Sequence, residues 1–454
     1  MSLRHAVIAL ALVFAAGLPR VLAGQTLSLG EALRRAETGA YANRVAEAQA
    51  RAQEAQASLA LRGVLPSVRV EGGYVRTTDP LGAFGSTLRQ RTVTPTAFEP
   101  SRLNDPAAIG NVGSALVMEQ PIFNADALFG RRAAARAGAA ARASEDWVRA
   151  GTQVDVVRAY FGALLAREQV ATLDSSARAA HAHQRVAESQ HRNGLVTKSD
   201  ALLAAVRAGQ VDADLIAARA AANIARAQLA LALGAPADTN FVLPEHLPDT
   251  AAIDRLAGAA NTDSLGDRAD VRAARLALDA ATADRQRASA LLLPRVNSFG
   301  RLDWNSNDTP FGGRNAWAAG VVVTWSPFSG GAELAERRTA AARRSAAAAS
   351  AEAAEARGRL ELQEAANALE VALARMAITG RAVEQSGEAH RIVARKYEGG
   401  VATAVELFDA AAEETGSRLG FAAARYEAIV AAAEHRRASG RSLAVLTSLD
   451  VVER

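Results

Sequence analysis

Two long stretches without proline constrain the fold of this chain more than any other feature of its sequence. Proline is absent from Ile122 to Ala235 and again from Phe328 to Arg454. Both stretches are rich in Ala, Leu, Arg, Glu and Gln, which favour the α-helix. A helix from about Asp126 to Arg192 would be roughly 100 Å long at 1.5 Å per residue. We therefore predict long helices that pair side by side in a coiled coil, since no compact globular domain needs helices of this length.

The chain also contains an internal duplication, which sets its architecture. Three pairs of segments correspond, namely 65–68 with 293–296, 120–123 with 325–328, and 192–197 with 398–403. Gly194 and Gly400 lie at the centres of the last pair and are 206 residues apart, as are Pro121 and Pro327. Each half is therefore predicted to run helix, strand, loop, strand, long helix, glycine-bearing turn, helix.

These correspondences divide the chain into segments. We predict a first repeat at 24–234, a linker at 235–264, a second repeat at 265–440 and a C-terminal tail at 441–454. The first repeat would hold a strand pair at about 66–122 and a tip at about 193–198. The second would hold a strand pair at about 294–327 and a tip at about 399–404.

The strand pairs show an alternation of residue types with a period of two. Val68, Val70 and Tyr74 alternate with Arg69 and Glu71, as expected for one apolar and one polar face. This pattern fits either an ordinary soluble hairpin or strands of a membrane barrel. Four strands cannot close a barrel, so in a membrane several chains would have to complete the cylinder together.

The N-terminus is predicted to be a secretory signal peptide over residues 1–23. Arg4 precedes an apolar stretch from Ala6 to Leu18, and small residues at 21–23 complete the pattern. The chain has no Cys, which excludes disulfides, thiolate metal sites and a lipid anchor on cysteine.

Charge and motif content favour a transport or structural role over catalysis. The 52 basic and 48 acidic residues give a net charge of only +4, and the two signs alternate along the helices, which disfavours nucleic-acid binding. The seven His residues show no metal-ligand spacing, and neither a nucleophile elbow nor a phosphate-binding loop is present. We expect no enzymatic activity, no cofactor and no metal site.

Taken in order, the signal peptide, the duplicated unit, the strand end at 120–123 and the two turns resemble the TolC-like outer-membrane factor family. The segment 27–33 is also similar to the mature N-terminus of that family, and the likeness extends to about residue 440. The resemblance implies a mainly α-helical protein with a membrane β-barrel. Three chains would share a twelve-stranded barrel with four strands from each chain, and a long coiled-coil tunnel would cross the periplasm. Residues 235–264 would lie at the equator of that tunnel.

The resemblance also assigns candidate functional residues. The two tips would dock a periplasmic adaptor through Gly194, Leu195, Val196 and Thr197 and through Gly400, Val401, Ala402 and Thr403. Glu406 and Asp409 would form carboxylate rings at a pore constriction, with Asp200 in the equivalent position after the first tip and Tyr397 helping to latch the closed state. Ala402 stands where the founding member of the family has a basic latch residue, so closure must differ in detail.

The predicted function is that of an outer-membrane channel-tunnel subunit in a tripartite efflux or type I secretion system. A homotrimer in contact with outer-membrane lipid would receive substrates from an inner-membrane transporter through the adaptor. The alternative is a periplasmic or surface coiled-coil scaffold or adhesin without a pore, which would not require detergent for extraction. The sequence does not identify the exported substrate.

Overall fold

The computed structural model describes residues 26–258 and 267–449. The predicted signal peptide at 1–23 lies outside the described residues. So do positions 259–264 of the predicted linker and 450–454 of the predicted tail.

The described residues form ten α-helices and four β-strands. In chain order these are α1 (Leu29–Gly39), α2 (Tyr41–Leu59), β1 (Ser67–Thr77), α3 (Pro80–Gln90), α4 (Pro100–Asn104), β2 (Ile109–Phe123), α5 (Ala125–Arg192), α6 (Lys198–Ala232), α7 (Thr250–Gly258), α8 (Ala269–Ala290), β3 (Arg295–Ser306), β4 (Arg314–Thr324), α9 (Ala332–Glu398) and α10 (Ala404–Ala438). Three 3₁₀ helices add Ala60–Gly63, Pro95–Phe98 and Leu443–Leu449.

The long helices confirm the prediction from the proline-free stretches. Helix α5 has 68 residues and begins one residue before the predicted start, and α9 has 67. Each is followed by a helix of 35 residues, α6 and α10 respectively. None of the described helices is both long and apolar enough to cross a membrane.

The four strands form one antiparallel sheet in the order β1-β2-β3-β4. Val70 lies opposite Leu116, Leu116 opposite Leu302, and Leu302 opposite Trp317, so one register runs across all four strands. The register shifts only where β2 passes Pro121, which has no N–H to donate to the ladder. Within the described residues, the outer edges of β1 and β4 have no strand partner.

The two connections between paired strands differ in size. Residues 307–313 join β3 to β4 in a short loop, whereas 78–108 join β1 to β2 and contain α3 and α4. Both of these short helices begin with proline at the first turn, where the missing N–H is not needed. Three of the four prolines in this connection, Pro80, Pro95 and Pro100, therefore begin helices.

The described chain forms two compact units, each assembled from both repeats. One unit contains the sheet and comprises Val45–Trp147 and Asp267–Arg359. Its helices are joined by ion pairs such as that between Arg142 and Glu54, whose two hydrogen bonds measure 2.5 and 2.7 Å.

The other unit comprises the chain up to Arg44, Val148–Gly266 and the chain from Leu360 onward. Its main apolar core includes Leu29, Tyr160 and Ile429, all almost fully buried. The same core takes in Ile253 of α7 and Leu446 of the last 3₁₀ helix. The linker and the tail therefore pack together within this unit.

Candidate functional site

The first tip is a tight reversal between α5 and α6, closed by backbone hydrogen bonds. The N–H of Gly194 donates to the carbonyl of His191 at 2.9 Å, and the N–H of Leu195 donates to that of Gln190 at 2.9 Å. These two bonds form a Schellman motif, which requires a left-handed residue after the helix end. Gly194 has φ +72°, and no atom lies within 4 Å of the place where a Cβ would stand. Backbone conformation alone therefore requires glycine here.

The second tip, between α9 and α10, repeats this arrangement. Gly400 also has φ +72°, its N–H donates to Tyr397 at 3.0 Å, and the N–H of Val401 donates to Lys396 at 2.8 Å. Leu195 and Val401 follow the two glycines and are 73% and 79% exposed. Each tip therefore presents an apolar side chain to solvent, with half-buried Val196 or Ala402 beside it.

A capping box begins the helix after each tip. The hydroxyl of Thr197 accepts a hydrogen bond from the N–H of Asp200 at 3.2 Å, while the Asp200 carboxylate accepts one from the N–H of Thr197 at 3.1 Å. Thr403 and Glu406 make the same pair of bonds at 3.2 and 2.7 Å. Each box satisfies two backbone donors at a helix start.

The predicted constriction residues therefore differ in what they contact. The backbone N–H and the hydroxyl of Thr403 hold the pKa of Glu406 below its usual range. Asp409 makes a looser ion pair, at 3.7 Å, with Arg207 of α6, and its side chain is 64% exposed. Within one chain, Asp200 and Glu406 cap helices, and Asp409 has the freer carboxylate.

Tyr397 lies beside this group at the end of α9. Its hydroxyl donates a hydrogen bond to the side-chain oxygen of Gln190 on α5 at 3.0 Å. Its ring packs against a small apolar cluster that includes Ala204 and Phe408. Burial and the nearby Asp200 carboxylate raise the pKa of Tyr397. Tyr397 thus links all four helices around the two tips.

The sheet has one strongly charged face. Arg301 of β3 donates to Glu71 of β1 at 2.9 Å and to Asp303 at 2.8 Å, and Arg69 donates to Glu71 at 2.8 Å. Glu119 of β2 lies 3.5 Å from Arg69. Because side chains on a strand alternate between faces, these charges all stand on one side of the sheet.

The opposite face is apolar and largely exposed. Its members occupy the alternate positions of the same strands: Val68, Val70, Tyr74, Val112, Leu116, Met118, Val296, Leu302, Trp304, Trp317, Ala319, Val321 and Val323. Val68, Val70 and Val321 are 61–65% exposed and Trp317 is 79% exposed. Arg76, at the loop end of β1, is the one charged strand residue on this face. A sheet with its other charges on one face and exposed apolar side chains on the opposite face is typical of a wall between lipid and an aqueous lumen.

A protein-family model described as outer membrane efflux protein matches residues 41–235 and 262–441. The chain belongs to the outer membrane efflux protein family. Membership confirms the predicted family, fold class and outer-membrane location, and this family consists of channel proteins rather than enzymes.

The curated relative that the chain matches is distant. The chain is 27% identical over 237 residues to the alkaline protease secretion protein AprF of Pseudomonas aeruginosa, which is 50% of this chain. The match spans 48% of AprF, about half the length of that relative.

Two solved structures show the same fold. The outer-membrane channel OprN has a TM-score of 0.71 at 22% identity, with 91% of this chain and 90% of OprN covered. The outer membrane protein VceC of Vibrio cholerae has a TM-score of 0.72 at 18% identity, with 91% and 96% covered.

A cavity of about 450 Å³ between α5, α6, α9 and α10 was not predicted from the sequence. His183, His390 and Glu414 line it, and His390 is bonded through Nδ1 to Glu414 at 2.5 Å. Burial and then the neighbouring His390 lower the pKa of His183. The two histidines come from different repeats, so no local pattern could have paired them. No group of three or more His, Asp or Glu in the described residues is arranged to hold a metal ion.

Proposed function

We propose that three copies of this chain form an outer-membrane channel that is the passive exit duct of a tripartite efflux or type I secretion system. An inner-membrane transporter would supply the energy, and a periplasmic adaptor would join it to the channel. The chain itself would catalyse no reaction.

The observation that carries this proposal is the two-faced sheet with open edges. An unpaired strand edge leaves backbone groups unsatisfied in lipid, so a membrane sheet must close. Four strands are too few, whereas three copies supply twelve and leave no edge. The charged face containing Arg69, Glu71, Arg301 and Asp303 would then line the lumen.

The two tips are the proposed docking site for the adaptor. They expose Leu195 and Val401, and rigid Schellman turns at Gly194 and Gly400 fix the position of each side chain. Residues 194–197 and 400–403 would together form a repeated surface. AprF is named as a protease secretion protein and OprN as an outer-membrane channel. Both names support a transport role for this chain, either in secretion or in efflux.

The proposed constriction lies just after the tips. Three-fold symmetry would bring three copies of Glu406 and of Asp409 close to the axis, with Asp200 and Tyr397 around them. Clustered carboxylates in a narrow opening attract cations. We propose that this ring limits passage when no adaptor is bound.

Neighbouring glycines on β1 provide a direct test of the channel. Gly72 and Gly73 point to opposite faces of the sheet, and both have open space where a Cβ would stand. The natural chain has no Cys, so Gly72→Cys and Gly73→Cys each create a single labelling site.

In membranes, a small charged thiol reagent should label Gly73→Cys, which faces the lumen, at least about ten-fold faster than Gly72→Cys. An apolar maleimide that partitions into lipid should reverse the order. Equal labelling of both sites by the charged reagent would refute the assignment of lumen and lipid faces. Extraction of the chain by a salt wash alone would favour the scaffold alternative.

A further inference from the structure

The connection between β1 and β2 contains a helix that the second repeat lacks. Helix α3 has 11 residues, and the Asp79 carboxylate caps it by accepting from the N–H of Gly82 at 2.7 Å. The corresponding connection between β3 and β4 is only seven residues long and contains no helix. The duplication therefore does not account for α3.

The position of α3 is fixed by the side chain at its C-terminus. Gln90 is only 6% exposed, and its Nε2 donates to the carbonyl of Gly110 at 2.8 Å and to Oδ1 of Asn111 at 2.9 Å. Asn111 in turn donates to Oδ1 of Asn305 on β3 at 2.9 Å. These amides connect the end of α3 to the two central strands.

The face of the sheet that α3 covers follows from the register. Asn111 lies eight residues before Glu119 on β2, and Asn305 lies two residues after Asp303 on β3, so both belong to the charged face. Arg91, directly after α3, donates to the carbonyl of Asn315 on β4 at 3.1 Å. The helix therefore starts just after β1, crosses the loop end of the charged face and ends at β2 and β3, from where the Arg91 side chain extends to β4.

The length of α3 is sufficient for this crossing. Eleven residues span about 16 Å, and three strands at about 4.8 Å spacing span about 10 Å. Ala83 faces the protein and is buried, whereas Leu81 is 84% and Leu88 49% exposed. The helix thus extends along the inner rim of the sheet and directs two leucines away from it.

We infer that α3 is a constriction at the outer mouth of the channel, with one copy per protomer lining the rim and restricting the size of solutes that pass. This inference rests on the proposed trimeric channel. Twelve strands at about 4.8 Å spacing and a tilt near 40° give a cylinder about 24 Å across. A helix with its side chains is about 10 Å thick, so three such helices inside the rim leave only a narrow opening.

The test uses a cysteine deep in the lumen. Glu119→Cys stands on the charged face, about 27 Å along β2 from Asn111, so a reagent from outside must first pass α3. Intact cells are treated with a small charged thiol reagent. A second sample receives a maleimide on a polymer narrower than the open cylinder but wider than the constricted mouth. Asp308→Cys, in the exposed loop between β3 and β4, reports whether each reagent reaches the cell surface.

Three backgrounds separate the possible results. One replaces residues 81–89 with a Gly-Ser linker, one carries Gln90→Ala to release the anchor, and one carries Arg89→Ala as a control at the exposed neighbouring position. We expect the polymer reagent to label Glu119→Cys at least about ten-fold faster in the linker variant than in the parent. Gln90→Ala should be intermediate and Arg89→Ala unchanged. If the linker variant does not assemble, the labelling rate in the Gln90→Ala background is compared with that in the parent instead.

Equal labelling by the polymer reagent with and without α3 would overturn the inference and leave the channel intact. If even the small reagent failed to reach Glu119→Cys in every background while labelling Asp308→Cys, the charged face would not be a lumen. The proposed function would then fail as well.

Discussion

Glu406 and Asp409 carry the same charge three residues apart, but they make different contacts. Glu406 is held by the backbone and hydroxyl of Thr403, whereas Asp409 makes a looser pair with Arg207. The pKa of Glu406 is lowered from 4.5 in the folded chain. The stabilisation that its capping hydrogen bonds give to the fold is therefore present above pH 4.5 and is lost as the pH falls through the lowered pKa. Mild acid should therefore leave this helix start intact.

The constriction can be tested with substitutions that keep the cap. Glu406→Gln retains an oxygen that can accept from Thr403, so the double change Glu406→Gln with Asp409→Asn removes charge without opening the helix end. We expect the affinity for blocking divalent cations to fall about ten-fold or more at low salt, because focused negative charge raises local cation concentration by that order. Single-channel recordings in planar bilayers, with and without divalent ions, measure this.

The double change Glu364→Gln with Glu384→Gln removes two exposed carboxylates from α9 and is the control for net charge. Identical block and selectivity in the double variant and the wild type would leave Glu406 as a helix cap and Asp409 as a surface charge.

Single residues also show where the sequence pattern was ambiguous. Phe299 interrupts the alternation in β3 because it stands on the charged face, opposite Gly320. A Cβ at Gly320 would lie 2.9 Å from the Phe299 ring, so the glycine makes room for it. Pairing across strands explains this exception, and the sequence of one strand does not contain that information.

At the scale of elements, the turns at the tips lead to a prediction about docking. Val at position 194 or 400 would force a β-branched residue to φ +72°, at a cost of about 1–2 kcal/mol. We expect such a change to reduce adaptor affinity about ten-fold. Binding of the purified adaptor to the trimer, by calorimetry or cross-linking, measures the effect.

Asn provides the matched control at the same positions, since it tolerates a left-handed backbone better than any other residue with a side chain. The variants Gly194→Asn and Gly400→Asn should bind the adaptor with an affinity much closer to that of the wild type than the valine variants do. Unchanged binding by the valine variants would show that docking occurs elsewhere.

The sequence predicted the long helices and the four strands well, but it did not predict α3 and α4 in the connection between β1 and β2, and it predicted contacts between elements poorly. Helix α5 was placed to within one residue because proline and composition act locally. The capping boxes at Thr197 and Thr403 were not predicted, although each has the local signature of Thr followed by an acidic residue three positions later. The Gln90 network and the His183–His390 pair join distant segments, so they depend on the folded arrangement.

For the whole molecule, assembly depends on apolar surface that one chain leaves uncovered. Helix α6 carries a stripe of exposed residues, Leu202, Val206, Ile216, Ile224 and Leu231, each 57–69% exposed. With a rotation of 100° per residue, these five side chains fall within an arc of about 80° around the helix axis. The other positions on that arc between Leu202 and Leu231 are Gly or Ala. A stripe of this kind favours packing against another helix, and we expect a second copy of the chain to cover it.

Lysine on this stripe should therefore prevent trimer formation. Burying each isoleucine stabilises a complex by about 1.5–3 kcal/mol, and a buried unpaired ammonium adds a further penalty. We expect Ile216→Lys with Ile224→Lys to yield monomers in mild detergent, as measured by light scattering after size-exclusion chromatography. Ala221→Lys, exposed on α6 outside the stripe, should remain trimeric. Trimers in both variants would exclude the stripe as a subunit contact.

The glycines that end the paired helices also govern how such a chain can change in length. Gly194 and Gly234 have φ +72° and stand 40 residues apart, and Gly400 and Gly440, with φ +72° and +69°, stand the same distance apart. Helices α6 and α10 are therefore equally long. A heptad inserted into only one repeat would displace one tip by about 10 Å and leave the other behind. A longer or shorter duct thus requires insertions or deletions of equal length in both repeats. The two halves of the gene must therefore change together.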